Sequence, residues 1–482
     1  MKTDNNKKTH WNICKYCHGQ GKIMRGPSKK RRRAYQRQMD AFNDKKIEDL
    51  PKTLDSNFDI CFDCVGSGLK ESDHVTKINP NYPHLAIIGA GIGGTALAVA
   101  CLHRGIPFTL YERDKNFNAR AQGYGLTLQQ ASKAIQGLGI FSLNDGIIST
   151  RHVVHNSKGK IIGEWGLRKW KGIGVEKNSK RKNIHIARQS LRAQLIQELD
   201  SNNGLNWNHK FINFSKTKKG RFEINFEVNG KKKTNYADVI VGSDGIRSTV
   251  RSQLIDKNKT PLKYLGCIVI LGICSLESLK SMANPLLDSA TVFQTVSGHE
   301  RIYVMPYDDK NIMWQLSFPM DEKDAKKLCT QGTLAIKKEA LKRIENWYTP
   351  IPEIISETLE ADITGYPIYD RELFNTELLK DTGNSTLIGD AAHPMSPFKG
   401  QGANQALLDA LYLARKISVK CDDVKWQKDG LRKLVFNSFE KEMSERTASK
   451  VINSRKLVTL LHSDAVLHDG DEPRGRGIGL QK

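Results

Sequence analysis

The chain has 482 residues, 39% hydrophobic and 26% charged, with 75 Lys and Arg against 52 Asp and Glu. At roughly 100–200 residues per domain this length suggests two to four domains, and the apolar content excludes a chain disordered throughout. The net charge of +23 admits nucleic acid, a membrane surface or an acidic small molecule as partner and decides nothing about fold.

Residues 1–80 form a polar preface, and no apolar stretch follows Met1–Lys8 to make a signal peptide. Of nine cysteines, four sit here in two pairs and five are scattered, a usage expected of a reducing, cytoplasmic compartment. Cys14-Lys15-Tyr16-Cys17-His18-Gly19-Gln20-Gly21 and Cys61-Phe62-Asp63-Cys64-Val65-Gly66-Ser67-Gly68 both spell C-x-x-C-x-G-x-G. Four thiolates, Cys14, Cys17, Cys61 and Cys64, suffice for one tetrahedral Zn²⁺ with no open position, which makes a structural site. The glycines permit a tight knuckle whose N–H groups bond to sulfur; two redox-active dithiols are the competing use. Both runs resemble the zinc repeats of the DnaJ chaperone family, which has four of them, so chaperone activity does not carry over from two. Between them Lys29–Arg33 is basic and a short helix is expected to about Leu50. Without interleaved aromatics apart from Tyr35, the basic run reads as a solvated face rather than a nucleic-acid site, and a protein partner for this module stays open.

Pro80 and Pro83 mark a boundary. The uncharged run Leu85–Leu102 nears transmembrane length but holds four glycines, so it reads as strand, turn and helix. Leu85–Ile88 is a strand, Gly94–Arg104 a helix and Phe108–Tyr111 a second strand. Arg188–Leu199 has amphipathic spacing. Phe222–Val228 precedes a hairpin turn at Asn229-Gly230, and Ala237–Val241 is another buried strand. Strand-like runs then crowd Pro261–Pro319, as a separate antiparallel sheet. From Ala403 onward the pattern is mostly helical.

The turn Gly89-Ala90-Gly91-Ile92-Gly93-Gly94 joins strand to helix, and Glu112 closes the next strand 18 residues beyond Gly94. In this context Gly89 allows the turn, Gly91 lets a diphosphate reach the backbone and Gly94 packs helix on strand. The anion would meet free N–H groups at the helix N-terminus, with Glu112 accepting from ribose hydroxyls.

Two more segments choose among dinucleotides. Gly242-Ser243-Asp244-Gly245-Ile246-Arg247 follows one strand; Gly389-Asp390-Ala391-Ala392-His393-Pro394 follows another and runs through Pro397-Phe398-Lys399-Gly400-Gln401-Gly402-Ala403-Asn404 into a helix. At these residues the chain resembles the class A flavoprotein monooxygenases, the family of para-hydroxybenzoate hydroxylase and the tetracycline-inactivating monooxygenases, over roughly residues 84–460.

The resemblance implies an α/β architecture: a Rossmann-like FAD-binding domain (84–260 and 371–482, the latter with C-terminal helices) interleaved with a β-sheet substrate domain (261–370). It implies FAD, NAD(P)H and O₂, with a C4a-hydroperoxyflavin hydroxylating an aromatic or polyketide-like small molecule. By position, Asp390 matches the ribityl-binding Asp, while Gly400, Gly402, Ala403 and Asn404 match the loop and helix start under the flavin ring. Asp244 and Gly245 match a segment tied to FAD and the nicotinamide cofactor. Arg188 matches a flavin contact, with a plain helix-start arginine as the other reading, and Arg120 one meeting the NADPH phosphate region. Tyr111-Glu112-Arg113-Asp114 looks like the tetracycline-inactivating enzymes, which place an Asp where this chain has Gln in Gln129-Gln130. His393 is expected to be a packed, hydrogen-bonded residue. The cofactor supplies the hard step, so no catalytic side chain is assigned. The Trp-x-Trp-x-x-Pro signature of flavin halogenases is absent. Phe293, Tyr303, Trp314 and Phe318 are either core or pocket wall. A flavin reductase or dehydrogenase on the same fold, and a zinc-anchored flavin-sensing protein, are the alternatives to hydroxylation.

Overall fold

The computed structural model describes residues 9–44, 57–119, 124–166, 184–199 and 204–475. It opens with β1 (His10–Ile13), β2 (Lys22–Arg25), α1 (Lys29–Asn43), β3 (Asn57–Ile60) and β4 (Leu69–Ser72). β1 pairs with β4 and β2 with β3, both antiparallel. The Ser28 hydroxyl caps α1 by accepting from the Arg31 amide, and none of this basic helix is buried. The helix ends at Asn43, and the expected extension to Leu50 lies outside the described residues.

The body begins as a βαβ unit, β5 (Leu85–Ile88), α2 (Ile92–Leu102) and β6 (Phe108–Tyr111). There follow β7 (Gly125–Leu128), β8 (Ile147–Ile148), β9 (Arg151–Asn156), β10 (Ile161–Trp165), β11 (Ile184–Ala187), α3 (Arg188–Glu198) and β12 (Leu205–Asn206). β13 (Lys210–Lys216), β14 (Phe222–Val228) and β15 (Lys231–Ala237) form a meander, turning at Asn229 and Gly230 with φ of 50° and 75°. β16 (Val239–Gly242) and α4 (Thr249–Leu254) complete this half.

The second half holds β17 (Lys263–Ser275), β18 (Thr291–Val296), β19 (Arg301–Pro306), β20 (Asn311–Pro319), α5 (Glu322–Thr330), α6 (Thr333–Arg343), α7 (Ile351–Glu357) and β21 (Ile363–Asp370). β22 (Ser385–Leu387), α8 (Gly402–Lys420), α9 (Lys425–Asp429) and α10 (Asn437–Leu460) end it. Among the described residues no helix is long and apolar enough to cross a membrane.

Five parallel strands, in order β12-β6-β5-β16-β22, make the nucleotide-binding sheet. All four residues of β5 and of β16 are buried, as strands covered on both faces require. The second sheet has seven strands, β10-β9-β18-β19-β20-β17-β21. Here the sequence reading needs amending. β9 and β10 come from residues 151–165, outside 261–370, and β9 runs parallel to β18, so the sheet is not wholly antiparallel. Parallel partners need a long crossover, so nothing local announces this pairing.

Alternation gives this sheet two distinct faces. Ile268, Ile270, Phe293, Val304, Trp314 and Phe318 face a core shared with α5, α6 and α7. The Trp314 ring fills the space beside its cross-strand neighbour Gly272, where a Cβ would lie 2.4 Å from it. The opposite face presents Val269, Leu271, Val292, Met305 and Met313 to Tyr124, Tyr303, Tyr366 and Phe398. Of the four aromatics singled out from sequence, Phe293, Trp314 and Phe318 are therefore core, and only Tyr303 looks toward the nucleotide-binding half.

Candidate flavin and metal sites

The turn after β5 fits its reading closely. Gly89 has φ 104°, and a Cβ on Gly94 would stand 1.9 Å from the Gly89 carbonyl oxygen and 2.5 Å from Ser243 Oγ. Gly91 is different: its missing Cβ would meet only Arg188 Nη2, at 3.9 Å. No side chain caps the N-terminus of α2, so its first amides are left for a ligand. Arg188 opens α3 with its guanidinium 5.1 Å from the Tyr124 ring centre. One turn on, buried Arg192 donates through Nε to the Ala90 carbonyl at 2.7 Å.

The second candidate lies around the start of α8, a helix that packs against α2. Asp390 follows β22, and Oδ1 would lie 3.5 Å from a Cβ on Gly402, in the first turn of α8. The side chain is solvent-accessible, yet desolvation raises its carboxyl above the ordinary range against the pull of His393 and Arg188. α8, like α2, has no side-chain cap. Gly400, at φ 58°, sets the loop before it, and Gln401 donates to Gln129 Oε1 at 2.7 Å, tying that loop to the end of β7.

Beneath the loop lies a buried network. His393 Nε2 is 2.7 Å from Asp409 Oδ2, which also accepts from the Gly389 amide at 2.8 Å; Oδ1 accepts from Arg446 at 2.7 Å. Burial alone would raise Asp409, but His393 and Arg446 outweigh it and hold the carboxyl below its usual range. His393 is thus a packed, hydrogen-bonded residue, as expected.

The two cysteine knuckles share one geometry. Cys14 N donates to Gly68 O at 2.9 Å and Cys61 N to Gly21 O at 3.0 Å, an exchange between the two repeats. Gly21 N donates to Cys17 Sγ at 3.1 Å and Gly68 N to Cys64 Sγ at 3.2 Å. His18 and Val65 both take left-handed backbone, at φ 49° and 51°. All four sulfurs are buried and lie within 4.8 Å of one another. Cys14–Cys61 at 3.9 Å and Cys17–Cys64 at 3.7 Å are too long for disulfides. They match the ~3.8 Å edge of a tetrahedron with Zn–S bonds of about 2.3 Å. The donor set fits zinc.

Residues 83–423, well over half the chain, match the family described as FAD binding domain. The chain belongs to that family. A probable FAD-dependent monooxygenase of Arthroderma benhamiae is 25% identical over 414 residues, covering 79% of this chain and 92% of the relative. Aurachin C monooxygenase/isomerase of Stigmatella aurantiaca is 27% identical over 350 residues, covering 70% and 81%. Klebsiella pneumoniae HpxO, solved with FAD and uric acid, has the same fold, with TM-score 0.63 at 18% identity over 79% of this chain and 88% of that one. The protein is an FAD-dependent oxidoreductase of the monooxygenase type, and its N-terminal module lies outside the family match.

Within this flavoenzyme the residues expected from sequence divide by what their polar atoms do. Gly91 stands beside Arg188, and Gly402, in the uncapped first turn of α8, stands beside Asp390. Asp244 instead accepts from the Ser248 hydroxyl and from the Thr249 and Val250 amides, at 2.7 and 3.1 Å, and so caps α4. Gly245 beside it, at φ 83°, has no neighbour where a Cβ would stand. Asn404 is saturated: it donates to Thr127 O and Gly400 O and accepts from the Gln129 and Ala131 amides, positioning the loop without a free atom for a ligand. Glu112 is buried, accepts from the Ala90 and Asp114 amides and lies 3.9 Å from Arg192 Nη2. Arg113 is exposed, and Arg120 lies outside the described residues. Tyr124, Tyr366 and Arg192 escaped the sequence reading, although Arg192 stands at the i+4 position from Arg188.

Proposed function

We propose that this enzyme uses NAD(P)H and O₂ to hydroxylate an aromatic or polyketide-like small molecule. The observation that carries the reading is the aromatic face of the seven-stranded sheet, with Tyr303 and Tyr366 turned toward the Phe398–Gly400 loop and the open start of α8. Bound FAD supplies the redox and oxygen chemistry. The chain's part is to hold and orient it, with Gly91 and Arg188 at the diphosphate end, Asp390 at the polyol and the α8 amides opposite negative charge on the ring. Met305, Met313 and the tyrosines exclude water from the reacting face.

The knuckles would hold one zinc through Cys14, Cys17, Cys61 and Cys64 as a structural site, in a cytoplasmic protein whose reducing surroundings keep the thiols free. The decisive experiment is a substrate screen by NADPH oxidation with an oxygen electrode. One O₂ consumed per hydroxylated product is expected; NADPH oxidation that reduces a substrate without oxygen uptake would move the protein to the reductases.

A further inference from the structure

The N-terminal module turns apolar side chains outward. Among the described residues ten large apolar or aromatic side chains are more than half exposed, and six of them, Tyr16, Met24, Phe58, Ile60, Phe62 and Val65, lie in the knuckles and the ribbon between them. They form one run. On the β2–β3 ribbon Met24 lies opposite Phe58 and Lys22 opposite Ile60. Residues two apart share a face, so these four stand together while Ile23 turns to the cysteines. Ile60 reaches the second knuckle, its Cγ2 3.2 Å from where a Cβ on Gly66 would stand. There the Phe62 ring lies 4.5 Å from that of Tyr16 in the first knuckle. The grip on α8 uses Gln20 and the carbonyls of Gly66 and Ser67, and docking to the body covers none of the six. Val65 even takes left-handed backbone, which its branched Cβ disfavours, while its side chain stays 77% exposed.

Cations accompany the run. Residues 9–44 hold nine Lys and Arg against two Asp, all exposed. The nearby Asp59 and Asp63 are already paired with Arg25 and Lys70, at 3.2 and 3.0 Å. Arg32 folds back to donate to the Pro27 carbonyl at 2.9 Å, which holds the basic start of α1 close to the end of the ribbon. Farther along α1, Tyr35, Met39 and Phe42 fall on one stripe, and none of them is buried.

Contiguous exposed apolar surface marks an interaction site, and its basic neighbours call for an anionic partner. Single-stranded nucleic acid would engage the rings but leave Met24, Ile60 and Val65 without a use, because aliphatic side chains offer bases no face to stack on. A bilayer interface takes aliphatic and aromatic side chains alike, while Lys and Arg stems reach back to anionic headgroups.

We propose that the N-terminal module anchors the enzyme to an anionic membrane surface, the six apolar side chains entering the interface while Lys22 and Lys29–Arg33 meet the headgroups. The inference depends neither on the reaction assigned to the flavin nor on what fills the four-cysteine site.

The test follows co-sedimentation of the FAD-loaded full chain with vesicles of phosphatidylcholine, alone or with about 30% phosphatidylglycerol. The wild type should bind the anionic vesicles about tenfold or more tightly than the neutral ones, and less tightly as salt rises. The double variant F58S/I60S should lose about tenfold or more in affinity, and K30Q/R33Q about fivefold for each cation removed. Flavin content, metal content and melting temperature should stay at wild-type values in both, since all four positions are exposed. Insertion is read separately: vesicles of brominated lipid should quench the fluorescence of F58W and leave that of Y236W, on the exposed face of the β13–β15 meander, unchanged.

No binding to anionic vesicles would overturn the inference. So would binding that F58S/I60S leaves intact, which is adsorption by charge alone, or F58W that brominated lipid fails to quench. A single-stranded oligonucleotide that displaces the protein from vesicles, and whose own binding is lost in F58S/I60S, would make the surface a nucleic-acid site instead.

Discussion

Arg415 of α8 donates to the carbonyl of Ser67, in the second cysteine knuckle, at 2.8 Å, while Gln20 in the first donates to the carbonyl of Arg415 itself at 3.1 Å. The helix they grip is the one whose first turn faces Asp390. Arg415 stands 13 residues beyond Gly402, about 20 Å along the axis, so the knuckles and the loop before α8 hold one rod at two separated points.

Loss of metal should therefore be felt at the flavin. Native mass spectrometry is expected to find one zinc in the wild type and none in Cys14→Ser, with the variant melting several degrees lower and releasing FAD faster. Arg415→Ala should keep zinc but lose about 1–3 kcal/mol, the cost of leaving buried carbonyls unpaired. A zinc-free protein that holds FAD as long as the wild type would cut the proposed link.

Gly91 and Gly94 share one turn and should fail differently. Gly94→Ala forces a methyl to 1.9 Å from a carbonyl oxygen and should destabilise the apoprotein by about 3 kcal/mol or more. Gly91→Ala meets only the far end of an arginine, so the apoprotein should unfold within about 0.5 kcal/mol of wild type. Its flavin occupancy should nevertheless fall, because the methyl stands where a diphosphate would approach. Urea midpoints of both apoproteins, set beside flavin absorbance after reconstitution, separate the two cases.

Asp390→Ala should release FAD, with affinity falling about tenfold to a hundredfold, the range for a charged hydrogen-bonding group. Dialysis followed by the ratio of flavin to protein absorbance reads this directly. Full retention would remove Asp390 from the ribityl role.

Stability should fall early on the acid side. Burial pushes His152, His155 and His462 down to about 4 and His185 to about 3. The unfolded chain takes up protons at these sites near pH 6.5 and the folded chain only near its own lower values. The stabilisation is thus complete above about pH 6.5 and disappears as pH falls toward 4, at up to about 1.4 kcal/mol per pH unit for each histidine. Urea midpoints followed across that window should drop steeply, and His462→Gln should make the slope shallower. A flat profile above pH 5 would contradict the buried, neutral assignment.

What could be read from the sequence was local. The turn at Gly89–Gly94 and the two knuckles announce themselves because glycine placement is dictated within a few residues by backbone conformation. The parallel pairing of β9 with β18 joins residues 151–156 to 291–296 and leaves no such trace. Tyr303 was legible in part: it alternates with Arg301 and Met305, the pattern of one strand face. Alternation alone does not say which face is closed by helices and which by a flavin loop, so its outlook toward the nucleotide-binding half emerged only in three dimensions. Asp244 and Asn404 show the reverse case, residues singled out from motif position whose side chains serve the backbone.

The ribbon of β2 and β3 holds Lys22 opposite Ile60, so the chain leaves the first knuckle and returns to the second at neighbouring points. The basic helix lies between these two points, beyond a clasp formed by the ribbon and the four clustered cysteines. Such a clasp makes the length and content of the hanging segment independent of the flavoprotein beneath it. A short turn joining Arg25 to Asn57 would leave both knuckles and the grip on α8 in place, and a foreign sequence spliced there would be carried as cargo.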